Sequence, residues 1–120
     1  MTGERTLTVR VRTVPGAVVV AADGDLDLGT APVLRARAKA VLADRPGALV
    51  VDLGGIGFCG SAGLQVLAEI AAETTADGVP LAVVADGYAV LRAVRISRLD
   101  EAFAVHATVD DACAWIRGGS

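Results

Sequence analysis

Ser61 stands where two hydrophobic patterns meet. Before it, Leu49-Val50-Val51-Asp52-Leu53 is a short run rich in β-branched residues, of the kind that forms a buried parallel strand. After it, Leu64, Leu67, Ala68 and Ala71 recur at helical spacing. Between them lies Gly54-Gly55-Ile56-Gly57-Phe58-Cys59-Gly60, which reads as a tight glycine loop. The order strand, loop, helix predicts Ser61 as the N-cap, its hydroxyl accepting a backbone N–H two or three residues on. A helix start also carries a positive potential and unpaired N–H groups, so a phosphate attached or bound there is favoured.

Two other chemistries use the same layout. Gly55-Ile56-Gly57-Phe58-Cys59-Gly60 spells G-x-G-x-x-G after a strand, and Asp86 follows the next strand as a ribose-binding acid would. That fingerprint is weak alone, and here a hairpin precedes it where the motif should open the fold. Ser61 followed by Asp100 and His106 has the order of an α/β-hydrolase triad, but Cys59 stands where G-x-S-x-G needs its first glycine. His106 is the only histidine, so a base would have to come from the end of a short terminal strand. No G-x-x-x-x-G-K-[ST] loop is present, so ATP binding by the chain itself is not expected. Neither cofactor nor enzymatic activity is predicted.

Composition narrows the partners. A formal net charge of −3 provides no basic field, and the four aromatic side chains (Phe58, Tyr88, Phe103, Trp115) are scattered, so nucleic acid is not an expected partner. No apolar run approaches the roughly 20 residues of a membrane span, and the N-terminus carries Glu4 and Arg5 ahead of an alternating segment. The mean hydropathy of +0.55 is high, but it comes from Ala and Val in every element and reads as a dense core. Cys59 and Cys113 have no metal or disulfide spacing and read as reduced, buried small hydrophobes. A cytoplasmic protein is expected.

At 120 residues the chain is predicted to form one domain over 1–120, with a core from about residue 6 to 117. Thr6 to Val14 alternates Leu7, Val9 and Val11 with Thr8, Arg10 and Arg12, and Ala17 to Ala22 is Val-rich. With Pro15-Gly16 between them they read as a hairpin, the first strand an arginine-guarded edge. Asp23 to Gly29 is an acidic turn. Thr30 as cap and Pro32 in the first turn start a helix over 31–43, with Val33, Leu34, Val41 and Leu42 inward and Arg35, Arg37 and Lys39 outward. The basic run reads as a solvated face.

The helix from Ala62 should stop at Asp77-Gly78. Ser61, Gln65, Glu69 and Glu73 follow one another at intervals of four and should form one outward stripe. Pro80 to Ala85 is a strand, and Asp86-Gly87 opens a helix on Val90, Leu91 and Val94 that ends near Arg98. Phe103 to His106 is a last strand and 109–117 a last helix with Asp110 and Asp111 in its first turn; Gly118-Gly119-Ser120 should fray. The fold class is α/β, a mixed sheet of about five strands with about four helices. The loop at Asp27 and the helix start at Ser61 should share the end of the sheet where α/β sites gather.

The chain also resembles a known family over nearly its whole length. Gly24-Asp25-Leu26-Asp27 with Thr30-Ala31-Pro32, then Asp52-Leu53, Phe58-Cys59-Gly60-Ser61-Ala62-Gly63-Leu64 and Phe103-Ala104-Val105 are similar to the STAS domain of bacterial anti-sigma factor antagonists. The resemblance implies that the unphosphorylated form binds an anti-sigma factor and frees its sigma factor. It also implies that this anti-sigma factor, a serine kinase, phosphorylates Ser61 to end the contact, that Asp27 lies beside that serine, and that a serine phosphatase resets it. The family usually has aspartate before the serine; here Gly60 replaces it. Small neighbours and the helix stripe extend the predicted partner contact to Asp27, Gly60, Ser61, Ala62, Gly63, Gln65 and Glu69. The alternative is a STAS scaffold or regulatory subunit without a phosphorylation cycle.

Overall fold

In the computed structural model, which describes residues 6–118, the chain forms a five-stranded sheet and four α-helices. The Glu4-Arg5 segment and the expected fraying at Gly119-Ser120 lie outside the described residues. The elements are β1 (Leu7–Val14), β2 (Ala17–Leu26), α1 (Ala31–Ala43), β3 (Leu49–Cys59), α2 (Ser61–Asp77), β4 (Leu81–Val84), α3 (Tyr88–Ser97), β5 (Ala104–His106) and α4 (Val109–Arg117). A single 3-10 turn at Leu99–Glu101 lies between α3 and β5. The sheet order is β1-β2-β3-β4-β5, with β1 antiparallel to β2 and the other neighbours parallel.

The N-terminal hairpin turns at Pro15-Gly16, where Gly16 takes φ +82°. That value is open to glycine and costly for a side chain. β1 is the outer edge, and its Arg10 pairs with Asp23 of β2 at 2.7 Å. Because parallel strands need crossover helices, α1, α2 and α3 cover one face of the sheet. Leu26, Leu34, Val51, Leu53, Val66, Leu67, Val83 and Val90 form the main core there, each nearly or wholly removed from water. α4 covers part of the other face over Val19, Val50 and Val84. Each such side chain contributes on the order of 1.5–3 kcal/mol by burial, so the sheet is the stable platform.

The largest departure from the sequence reading is the length of β2 and β3. β2 continues through the acidic stretch to Leu26, and the glycine run expected as a loop is strand from Gly54 to Cys59. β4 pairs with β3 only as far as Asp52 against Val84, while β2 accompanies β3 to Leu26 against Cys59. The two strands therefore project past the rest of the parallel sheet. The register shifts between Ala21 and Asp23 and again between Gly24 and Asp25, each time with an extra residue in β3. Bulges sharpen twist and re-aim side chains. One glycine is there for space and conformation, since Gly24 takes φ +121° and a Cβ on it would collide with the backbone carbonyl of Thr6.

The helices also differ in detail. Val33 is exposed, and the inner face of α1 is Ala31, Leu34, Ala38, Val41 and Leu42. On α2 the buried stripe is Gly63, Val66, Leu67, Ile70, Ala71 and Thr74, with Ala68 outside. Thr74 is accommodated because its hydroxyl lies 3.0 Å from Ile70 O and 3.1 Å from Ala71 O. α3 ends at Ser97, with Arg98 after it in the left-handed region at φ +64°, a position glycine more often fills.

Candidate functional site

The projecting strands bring two loops together. Leu26 and Cys59 are in register at the ends of β2 and β3, and Gly60 donates its N–H to Leu26 O at 2.9 Å. The residues that follow Leu26 and Gly60 are Asp27 and Ser61. Gly60, not Ser61, is the N-cap of α2, at φ −90° and ψ −175°, and no side chain caps the helix. Ser61 is the first helical residue and is exposed. The correction follows from the longer β3: extended backbone persists through Gly60, which leaves Ser61 already in helical geometry. The first-turn amides remain at the helix end without a side-chain cap, a favourable setting for an anion.

Gly63 sets how closely α2 approaches the strands. It is buried, and a Cβ there would lie 2.8 Å from Leu26 Cβ and 3.2 Å from Cys59 Sγ. Its smallness therefore serves packing within the chain. Cys59 is half-buried, and burial pushes its thiol pKa up, so it stays protonated at neutral pH.

Asp27 is half-buried and structures its own loop. Its Oδ1 accepts the N–H groups of Gly29 at 3.0 Å and Thr30 at 2.9 Å. The Thr30 hydroxyl donates to Asp25 O at 2.6 Å and accepts the N–H of Asp27 at 2.9 Å. Thr30 thus ties the loop to β2, and no side-chain cap bond comes from it to α1.

The stripe expected along α2 divides. Ser61 and Gln65 are exposed, but Glu69 leans onto α1 and accepts from Arg35 Nε at 2.8 Å. The Arg35 guanidinium, by hydrogen bond and by charge, holds the Glu69 carboxyl below the usual glutamate range, with smaller help from Gln65 and Lys39. Glu73 lies farther along, lining a cavity of about 610 Å³ with Lys39 and Asp77 at the opposite end of α2. So Glu69 is engaged by Arg35 and Glu73 lies toward the far end of α2, and Arg35 belongs to an ion pair between α1 and α2, not a wholly solvated basic face.

Two apolar residues at the site were not singled out from the sequence. Leu28, beside Asp27, is 84% exposed, and Phe58 at the end of β3 is 40% exposed, its ring 3.2 Å from the position of a Cβ on Gly60. Leu28 was detectable as an isolated apolar residue within an acidic turn. Phe58 was hidden by reading its stretch as a loop.

The alternative chemistries do not assemble. Asp100 is exposed in the 3-10 turn, and His106 pairs through β5 with Val84, level with Asp52. The His106 ring packs on Trp115 of α4 at 5.4 Å. Asp100 and His106 line one cleft of about 370 Å³ with Arg95 and Val105, but Ser61 is not among its lining residues. Gly55 to Cys59 of the G-x-G-x-x-G segment are strand along β2 where the fingerprint needs a loop, and Asp86 lies beyond the end of the shorter β4.

A family model described as "Mlab, STAS domain" matches residues 9–108. The chain belongs to the STAS-domain family. Within it, the chain stands with the anti-sigma factor antagonists: it is 37% identical over 119 residues, 99% of its length, to the anti-sigma-F factor antagonist RsfB of Mycobacterium tuberculosis, covering 97% of that protein. A crystal structure of an anti-sigma factor antagonist from Mycobacterium paratuberculosis superposes with a TM-score of 0.84 at 36% identity, over 93% of this chain and 95% of that one. The unphosphorylated form of the Bacillus antagonist SpoIIAA shares the STAS fold at a TM-score of 0.77 and 19% identity, over 92% and 97% of the two chains. Among the described residues, no helix of this STAS domain is long and apolar enough to cross a membrane.

Proposed function

We propose that this STAS domain is an anti-sigma factor antagonist of the cytoplasm, switched by phosphorylation of Ser61. The unphosphorylated form binds an anti-sigma factor that is also a serine kinase, and so releases a sigma factor. Transfer of a phosphoryl group to the Ser61 hydroxyl ends the contact, and a serine phosphatase removes it. The domain itself is a binding protein without catalysis. The observation that carries this reading is the placement of an exposed Ser61 in the first turn of α2, whose N-cap Gly60 is hydrogen-bonded to Leu26, the last residue of β2 before Asp27.

The geometry suits such a switch. An exposed hydroxyl at a helix start is open to an active site, and the first-turn amides and dipole favour the added charge of about −1.5 to −2 without unfolding the helix. The contact surface comprises Asp27, Gly60, Ser61, Ala62 and Gln65 with the apolar Leu28 and Phe58 at its rim. Gly63 supports it from below, and Glu69 stiffens it through Arg35. Intact-mass and peptide analysis after incubation with ATP and the anti-sigma kinase tests the modification. One phosphate on Ser61, absent in Ser61→Ala, is expected; phosphate elsewhere or none would overturn it.

A further inference from the structure

α3 carries a second exposed face that the Ser61 site does not use. Tyr88, Arg92 and Ile96 succeed one another at intervals of four and therefore line one side of the helix. Tyr88 is 76% and Ile96 68% exposed, the largest exposures of big apolar side chains after Leu28. With Leu91 and Arg95 they border a shallow groove of about 350 Å³. Arg92 is held in the middle, donating to the Tyr88 hydroxyl at 3.1 Å with its guanidinium 6.0 Å from the ring centre. No acidic residue occurs from Tyr88 to Ser97 in a chain whose net charge is −3. Arg95 is shared with an adjoining cleft of about 370 Å³ in which Asp100 is the acid.

This pattern, apolar ends around a cationic centre, selects among occupants. A second copy packed antiparallel on the same helix would bring Arg92 against Arg92, a like-charge contact that costs affinity. An anionic membrane surface is recognised by clusters of roughly 4–8 basic residues, more than this face offers. A helix with a carboxylate between two apolar residues one turn away on either side complements it in charge and shape. We propose that the α3 face docks such an acidic amphipathic helix from a partner protein, its carboxylate on Arg92 and Arg95 and its apolar residues over Tyr88 and Ile96.

The probe is a capped synthetic helix with leucines one turn either side of a central glutamate, compared with the same peptide carrying lysine at the centre. It is titrated into the isotope-labelled full chain and followed by NMR. The glutamate peptide should shift resonances of 88–98, bind about tenfold more tightly than the lysine peptide, weaken with Ile96→Gln, and lose its preference with Arg92→Glu. Both side chains are exposed, and circular dichroism of each variant checks the fold. Equal binding of the two peptides, no binding, or shifts centred on Ser61 would overturn the proposal. So would a dimer in sedimentation that Ile96→Gln dissolves, or preferential binding to phosphatidylglycerol vesicles. None of these readouts depends on phosphorylation of Ser61.

Discussion

The N–H of Gly60 donates to the carbonyl of Leu26 at 2.9 Å, and this bond seats the start of α2 on the end of β2. Everything proposed for Ser61 rests on that seating, because it brings the serine and the Asp27 loop to one projecting edge.

Asp27 is expected to matter for folding as well as recognition. Removing an acceptor of two backbone N–H groups should cost about 1–3 kcal/mol, so Asp27→Ala should lower the urea midpoint clearly. Asp27→Asn keeps an acceptor oxygen and should lose less stability while still slowing phosphorylation. Chemical denaturation beside phosphorylation kinetics separates the two effects. An Asp27→Ala protein as stable as the wild type would contradict the role of the loop bonds.

The two glycines flanking the serine should respond in opposite ways. Gly63→Ala forces a methyl against Leu26 and Cys59, where backbone-anchored atoms must move, and should cost about 1–3 kcal/mol and weaken partner binding. Gly60 sits in extended geometry any residue adopts, and a Cβ meets only the exposed Phe58 ring closely. Gly60→Asp should therefore fold normally, and it should raise the rate of phosphorylation by a kinase that expects aspartate there. Thermal melts and initial rates measure both.

The Arg35–Glu69 pair gives a pH signature. The Glu69 carboxyl titrates below its unfolded value because of Arg35, so the stabilisation it brings is present above the ordinary glutamate range and is lost as pH falls through the folded value. NMR titration of Arg35→Gln should show the Glu69 carboxyl moving up. An unchanged titration would mean that the pair does not persist in solution.

Arg98 ends α3 at φ +64°, a conformation that glycine adopts more readily. Its ion pair with Glu101, at 3.3 Å between exposed groups, is worth little. Arg98→Gly should gain about 0.5–1 kcal/mol, read as a rise in Tm.

Much of this arrangement was legible in the residues. The bounds of α1 and α4 follow from the Thr30-Ala31-Pro32 start and the Asp110-Asp111 first turn. The hairpin was marked by Pro15-Gly16. What stayed hidden was decided by pairing between distant segments. Gly54 to Cys59 has poor strand propensity and becomes strand because β2 supplies a partner and two bulges absorb the mismatch. The same error made Ser61 look like the cap. The fate of Glu69 depended on α1 standing beside α2, which its spacing from Ser61 does not encode.

The most direct test is the affinity of the anti-sigma factor for four forms of this protein, measured by calorimetry: unmodified, Ser61-phosphorylated, Ser61→Ala and Ser61→Asp. Bulk and charge placed in a contact made around a small hydroxyl should cost roughly 3 kcal/mol, a loss of more than a hundredfold. The phosphorylated and Ser61→Asp forms should therefore bind weakly and Ser61→Ala as tightly as the unmodified protein, all with near-native circular dichroism. Equal affinity of all four forms would contradict a switch at Ser61.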